Sequence, residues 1–333
     1  MDANQTDTPP QIRASRKIRY GVSLACCALA LAACLLWQKY PVGAAILAAL
    51  CLAGVIFLLI VRRAVSRSVP AAHSAGIGRS ETKEDSLISV IICSVDPVKY
   101  ELVCANLRER FGDSPHEIIG IHDARSLCEG YNRGVEKSRG DILIFCHDDI
   151  EIISPSFDSR VREHLRTFDV IGCAGTVRLK DSRWMSSGDP HIHGVVAYPS
   201  AGAWPSDFFD VVVWGGPELS QIGDIQALDG VLFAANRRVV ESVRFDEDTF
   251  DGFHVYDTDF TYAAFLRGFK LAVCKDIMIA HKSGGNFQDS YKTYAGKFRE
   301  KYKGHLPEET SDGMCEQSNY RNVTHAQMWK AWP

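Results

Sequence analysis

Asp141-Ile-Leu-Ile-Phe-Cys146 runs directly into His147-Asp148-Asp149, and this stretch decides the fold. A short uncharged apolar run closed by acidic turn residues reads as a strand buried on both faces. Leu87-Ile-Ser-Val-Ile-Ile-Cys93 reads the same way, and so does Glu117-Ile-Ile-Gly-Ile121, which ends at His122-Asp123. Between them, residues 100–111 and 126–138 carry apolar residues at helical spacing, with Leu127, Tyr131 and Val135 on one face. Strand, helix, strand, helix, strand with short connections predicts a parallel α/β sheet. Ligands of such sheets bind beyond the carboxyl ends of the strands. Asp123 and the Asp148-Asp149 pair stand there.

Downstream, residues 157–167 read as a helix and 170–175 as a strand. From 178 to 226 the pattern loosens around Trp184, Trp204 and Trp214, with one strand-like run at 211–214. Residues 228–235 are strand-like around Gly230, 258–267 helical, 270–274 a strand, and 291–302 a basic, aromatic helix. After Pro307 the chain is polar and is expected to be partly ordered at best.

Upstream lies a different composition. Residues 21–37 and 42–61 are uncharged and apolar, each about as long as a bilayer crossing. A cleaved leader and a buried helical pair compete with a transmembrane hairpin here; the short gap favours the hairpin. Arg13, Arg16, Lys17 and Arg19 precede the first run, and Arg62, Arg63 and Arg67 follow the second. The positive-inside rule then predicts a two-helix multi-pass membrane protein with both ends, and so the domain that follows, in the cytoplasm. Eleven scattered cysteines without a C-x-x-C spacing point to a reducing compartment as well. The expected domains are a cytoplasmic N-terminus at 1–19, the hairpin at 20–62, a linker at 63–86, a catalytic domain at 87–307 and a polar tail at 308–333.

Charge excludes one class of partner. Residues 1–63 hold seven basic against two acidic side chains, a net of +5, which leaves −9 for residues 64–333 of a chain that totals −4. An acidic domain is a poor match for a phosphate backbone, so no nucleic-acid partner is expected.

Three groups of residues can carry chemistry. Carboxylates at a strand end, here Asp148, Asp149 and the nearby Glu151, are oxygen donors for Mg²⁺ or Mn²⁺, and equally serve turns and caps. Asp257 and Asp259, beside His254 and Tyr256, open a helix where a carboxylate can act as general base or simply cap. His281 leaves an apolar run into Lys282-Ser-Gly-Gly285, where it can ligate a metal or be structural. His191 and His193 lack a third partner. Ser94-Val-Asp-Pro97 is no phosphate loop, which argues against a nucleotidyltransferase.

Taken together these blocks resemble family 2 glycosyltransferases. Ser89–Cys93, Asp123, Ser126-Leu-Cys-Glu-Gly-Tyr131-Asn132-Arg-Gly134 and Gly140–Ile150 resemble the nucleotide-binding half. Gly252-Phe-His254-Val-Tyr256-Asp257-Thr-Asp259-Phe, Arg267-Gly268-Phe and His281-Lys-Ser-Gly284 look like the acceptor half. The subgroup typified by the streptomycin-biosynthesis glycosyltransferase-like domain is the best match, over residues 87–307. The resemblance implies a GT-A fold with a mainly parallel central sheet, a nucleotide-diphosphate sugar donor, Mn²⁺ or Mg²⁺, and inversion at the anomeric carbon. It assigns Ser94, Asp123, Asn132 and Asp148 to the nucleotide, Asp149 and His281 to the metal, and Asp257 to the base. Two positions depart from the wider family pattern: Tyr256 replaces the Glu of a Glu-Asp pair, as in that subgroup, and His147 replaces the first acid of Asp-x-Asp. The acceptor implied is a glycan or lipid-linked hydroxyl, and the three tryptophans would wall its pocket. A nucleotide-sugar- or glycan-binding protein without turnover is the rival reading.

Overall fold

The structure is a computed structural model that describes residues 86–200, 204–216, 220–284, 289–307 and 317–331. All of them fall within the unit Gly78–Pro333.

Strand β1 (Ile88–Cys93) is buried along nearly its whole length and pairs in parallel with β2 (His116–Ile121) and β3 (Ile142–Cys146), placing Val90 against Ile118 and Ile144. Helix α1 (Pro97–Phe111) joins β1 to β2. Its start is written in the sequence: the Asp96 carboxylate accepts from Val98 N at 2.9 Å and Lys99 N at 3.2 Å, and Pro97 needs no partner at the first helical position. Helix α2 (Leu127–Lys137) is capped by Ser126 Oγ, which accepts from Glu129 N, while Glu129 reaches back to Arg125 N.

Beyond β3 the chain leaves this sheet. The short β4 (Ile150–Ile152) precedes α3 (Phe157–Leu165), and β5 (Val170–Gly172) returns to the sheet while β6 (Ala174–Thr176) belongs to a second one. A 3-10 turn at Trp184–Ser187 leads to β7 (Ile192–Pro199), β8 (Phe209–Trp214), β9 (Gln221–Ile222), β10 (Ala227–Leu228) and β11 (Leu232–Asn236). Then follow α4 (Arg237–Ser242), α5 (Tyr256–Leu266), β12 (Leu271–Cys274), β13 (Ile279–His281), α6 (Asp289–Lys301), β14 (Gln317–Val323) and α7 (His325–Ala331).

The first sheet runs β2-β1-β3-β11-β5-β12-β9 and the second β10-β6-β7-β13-β4, with β8 on β7 and β14 on β8. The expectation of a mainly parallel sheet needs correcting, because β11 lies antiparallel between β3 and β5 and β9 is antiparallel to β12. The single strand expected at 170–175 divides at Cys173 between the two sheets. The strand expected at 228–235 divides at the Asp229–Val231 turn. The loosely patterned 178–226 region holds β7 and β8, which pair antiparallel with each other, and β9, which pairs with the distant β12.

The polar tail carries two elements. β14 is mostly exposed, yet its backbone pairs with β8, Gln317 opposite Trp214. In α7, Met328 is buried and Trp329 Nε1 donates to Ile153 O at 2.7 Å. Together they cover a small second core of Ile153, Val195, Phe209, Val211 and Met278.

The expected multi-pass membrane location is also corrected. No helix among the described residues is long and apolar enough to cross a membrane. The segments that prompted that expectation, within 20–62, lie outside the described residues.

Candidate active site

A cavity of about 300 Å³ opens where the two sheets meet. Four elements supply its polar wall: the end of β3, the end of β13, the turn between β10 and β11, and the first turn of α5.

The β3 and β13 ends bring three donor groups together. His147 follows Cys146 out of the first sheet, and Asp149 enters β4. β4 pairs antiparallel with β13, with Ile150 opposite His281, so two distant segments are held in one register. His281 Nε2 lies 3.2 Å from Asp149 Oδ1 and 3.2 Å from His147 Nδ1. One donor atom from each of the three residues falls within 4.8 Å of the others. Burial raises the cost of the Asp149 charge, but the hydrogen bond and charge of His281 outweigh it and hold that carboxyl well below its usual range. For His147, burial and the neighbouring His281 both disfavour protonation and push its pKa down. A divalent cation requires neutral imidazoles beside an ionised carboxylate.

The β10–β11 turn and α5 form the second half. Gly230 N donates to Asp257 Oδ2 at 2.7 Å, and Val231 N donates to Asp229 Oδ1 at 2.9 Å. A Cβ at position 230 would stand 2.3 Å from Tyr256 Oη and 2.7 Å from Asp257 Cβ, so only glycine fits between the turn and the helix. Burial, then the nearby Asp229 carboxylate, push the Asp257 pKa up to about 7. A carboxylate with that pKa holds and releases a proton near neutrality. Asp229 Oδ2 also accepts from Trp184 Nε1 at 2.7 Å, which ties the 3-10 turn to the same wall. The Trp184 ring stands edge-on to Trp214, 5.3 Å between centroids.

Asp259 points elsewhere. It is buried against Lys301 Nζ at 2.7 Å and Tyr302 Oη at 2.8 Å, on the side of α5 that packs against α6. Glu151 accepts from His325 at 3.0 Å in α7, away from the three metal-ligand candidates.

Of the residues assigned to the nucleotide, Ser94 and Asp148 are neighbours: Ser94 Oγ donates to Asp148 Oδ2 at 2.7 Å, with Lys99 Nζ 3.9 Å from the other oxygen. Asp123 is exposed and paired with Arg133 at 2.8 Å. Asn132 is buried, and its side-chain amide both donates to Phe245 O and accepts from Phe245 N. Those two bonds join α2 to the segment after α4, and Asn132, like Ser94, Asp123 and Asp148, does not line the cavity. Trp184 and Trp214 line it; Trp204 packs against the second core instead.

Three contributors were not legible as such. His147 was readable as a departure from an acidic triplet, and imidazole is itself a ligand type. Tyr256 was readable as a second departure, but its bond to His147 spans 109 residues. Asp229 sits in a run that reads as a continuous strand, so nothing local marks it.

The profile of a glycosyltransferase-like family matches residues 89–302. The streptomycin biosynthesis protein StrF of Streptomyces griseus is 24% identical over 174 residues, which cover 50% of this chain and 56% of that protein. The chain thus matches little more than half the length of that relative. Among solved structures, a mannosyltransferase from Pyrobaculum calidifontis in complex with GDP-Man and Mn²⁺ superposes with a TM-score of 0.38 at 12% identity, covering 67% of this chain and 64% of that one. GalNAc-T7 with UDP, GalNAc and Mn²⁺ superposes with a TM-score of 0.40 at 12% identity, over 63% of this chain and 46% of that one.

Proposed function

The chain belongs to this glycosyltransferase-like family, and from that premise we propose that it is an inverting, metal-dependent glycosyltransferase of GT-A type. The observation that carries the reading is that His147 and His281, which close on Asp149 as a donor set, line the same cavity as an Asp257 carboxyl pushed up to about 7.

The donor is a nucleotide-diphosphate sugar, with Ser94, Asp123 and Asp148 on the nucleoside side. Two imidazole nitrogens and a carboxylate oxygen fit a divalent first-row metal, and favour Mn²⁺ over Mg²⁺. Such an ion supplies Lewis-acid stabilisation of the departing diphosphate. The acceptor oxygen attacks the anomeric carbon on the face opposite the diphosphate, the bond from that carbon to the diphosphate oxygen breaks, and the hydroxyl proton passes to Asp257. Backbone N–H groups of Gly230 and Thr258 hold that carboxylate in place to receive the proton. The Trp184 and Trp214 rings offer an apolar wall to the acceptor.

The test uses a panel of UDP- and GDP-sugars with Mn²⁺. A donor present at a hundredfold its Kd adds about 2.7 kcal/mol to the folded state. For a domain of this size that is a rise in Tm of roughly 5–10 °C. Release of nucleoside diphosphate to water should accompany it, and Asp149→Asn should remove both. Stabilisation without release from any donor or acceptor would favour a binding protein without turnover. No stabilisation by any nucleotide sugar would overturn the reading.

A further inference from the structure

The two positions where the chain departs from the family pattern touch each other. Tyr256 Oη lies 2.8 Å from His147 Nε2 and donates to Gly230 O at 3.2 Å. A phenol has one proton. Placed on the Gly230 carbonyl, it leaves the phenol oxygen to accept from His147 Nε2–H. The reverse placement would leave the Tyr256–Gly230 oxygen pair without a proton between them. His147 Nδ1 then carries a bare lone pair, and that nitrogen is the one facing His281 Nε2, 3.2 Å away, and Asp149 Oδ1, 3.9 Å away.

The orienting group is itself immobile. Tyr256 is buried, its ring lies edge-on to Tyr131 at 5.6 Å, and its hydroxyl fits against Gly230, where a Cβ would clash at 2.3 Å. Burial pushes its own ionisation well above the ordinary range, so it remains a phenol.

We propose that Tyr256 is a positioning residue that locks His147 in the tautomer presenting Nδ1, making His147 a third metal ligand and giving the site a two-histidine, one-carboxylate selectivity for Mn²⁺ over Mg²⁺. This rests on the metal-dependent reading above. Partners that fix a ligating histidine's tautomer contribute about 10–100-fold to metal affinity. Exchange of an acidic oxygen donor for imidazole moves a site away from Mg²⁺, which demands oxygen ligands and gives up water reluctantly.

The experiment measures Mn²⁺ binding by electron paramagnetic resonance, alone and with UDP or GDP added, and reads the ligands from ¹⁴N electron-spin-echo modulation. Wild type should show two imidazole nitrogens. Tyr256→Phe should bind Mn²⁺ about 10–100-fold more weakly, with one nitrogen lost from the spectrum, while its melting temperature without metal stays within a few degrees. His147→Asp should keep Mn²⁺ binding with one nitrogen and raise the Mg²⁺ to Mn²⁺ affinity ratio about tenfold or more. If Tyr256→Phe does not fold, the ¹⁵N shifts of His147 in metal-free wild type decide the positioning role: a protonated Nε2 supports it and a protonated Nδ1 overturns it. Two nitrogens at undiminished affinity in Tyr256→Phe would overturn the positioning role. An unchanged ratio in His147→Asp, or a single nitrogen in wild type, would overturn His147 as a ligand while leaving the metal reading intact. No Mn²⁺ binding by wild type under any of these conditions would overturn both.

Discussion

Replacing Asp257 by Asn should make the protein slower and more stable at once. The carboxyl keeps its place through Gly230 N–H, a bond the Asn side-chain oxygen can also accept. What is lost is basicity, and losing a general base costs about 10²–10⁴-fold in rate. What is gained is relief from burying a charge beside Asp229. A pKa raised from 3.8 to about 7 corresponds to roughly 4 kcal/mol against the ionised folded form. The folded state binds the extra proton between those two values, so wild-type stability falls as pH rises through that window and is lowest above pH 7. The neutral amide escapes the charge penalty but not the cost of burying a polar group. We therefore expect Asp257→Asn to be about 1–3 kcal/mol more stable at pH 8, a Tm increase of roughly 2–10 °C, with the gap closing towards pH 5. Nucleoside diphosphate release, measured on the same samples, should fall by the stated factor, and wild-type release should drop about tenfold per pH unit below 7. Burial pushes Asp259 up as well, but its carboxylate neutralises Lys301 and accepts from Tyr302, so Asp259→Asn, which leaves Lys301 only Asp246, should cost about 1–3 kcal/mol with a small effect on rate. A less stable Asp257→Asn whose deficit does not vary with pH would refute the burial argument. Full activity in Asp257→Asn would refute the assignment of the base.

Two further outcomes follow from the packing. Gly230→Ala drives a methyl group into Tyr256 and Asp257, so it should destabilise the protein by about 1–3 kcal/mol in a denaturant melt and reduce Mn²⁺ affinity and release together; wild-type values for all three would show that the turn has slack. Ending the chain at residue 316 removes the β14 pairing, buried Met328, the Trp329–Ile153 bond and the His325–Glu151 pair. Because β4 carries Glu151 and follows Asp149, the shortened chain should melt several degrees lower and bind Mn²⁺ more weakly, and unchanged Mn²⁺ titrations would separate the tail from the site.

Local chemistry made half of this molecule readable. Apolar runs bounded by turn residues placed β1, β2 and β3, and apolar spacing placed α1 and α2, although the Asp96-Pro97 start of α1 lies before the expected residue 100, because strand burial and helical spacing act over a few residues. Asp149, Asp257 and His281 stood out as candidate chemistry for the same reason: each ends or begins an element. The rest depended on contacts between segments far apart in the chain. β11 inserts antiparallel between β3 and β5, the run at 170–175 divides between two sheets, and polar β14 is held by backbone pairing that its side chains do not advertise. The site shows the same division. His147 meets His281 across 134 residues, Tyr256 reaches His147 across 109, and Asp229 comes beside Asp257 only when the β10–β11 turn closes on α5. Residue type and spacing determined which groups were available to a metal and a proton. Tertiary packing decided which His147 nitrogen faces Asp149 and His281, and which carboxyl is pushed up to about 7, because ring orientation and pKa are set by the neighbours a folded chain supplies.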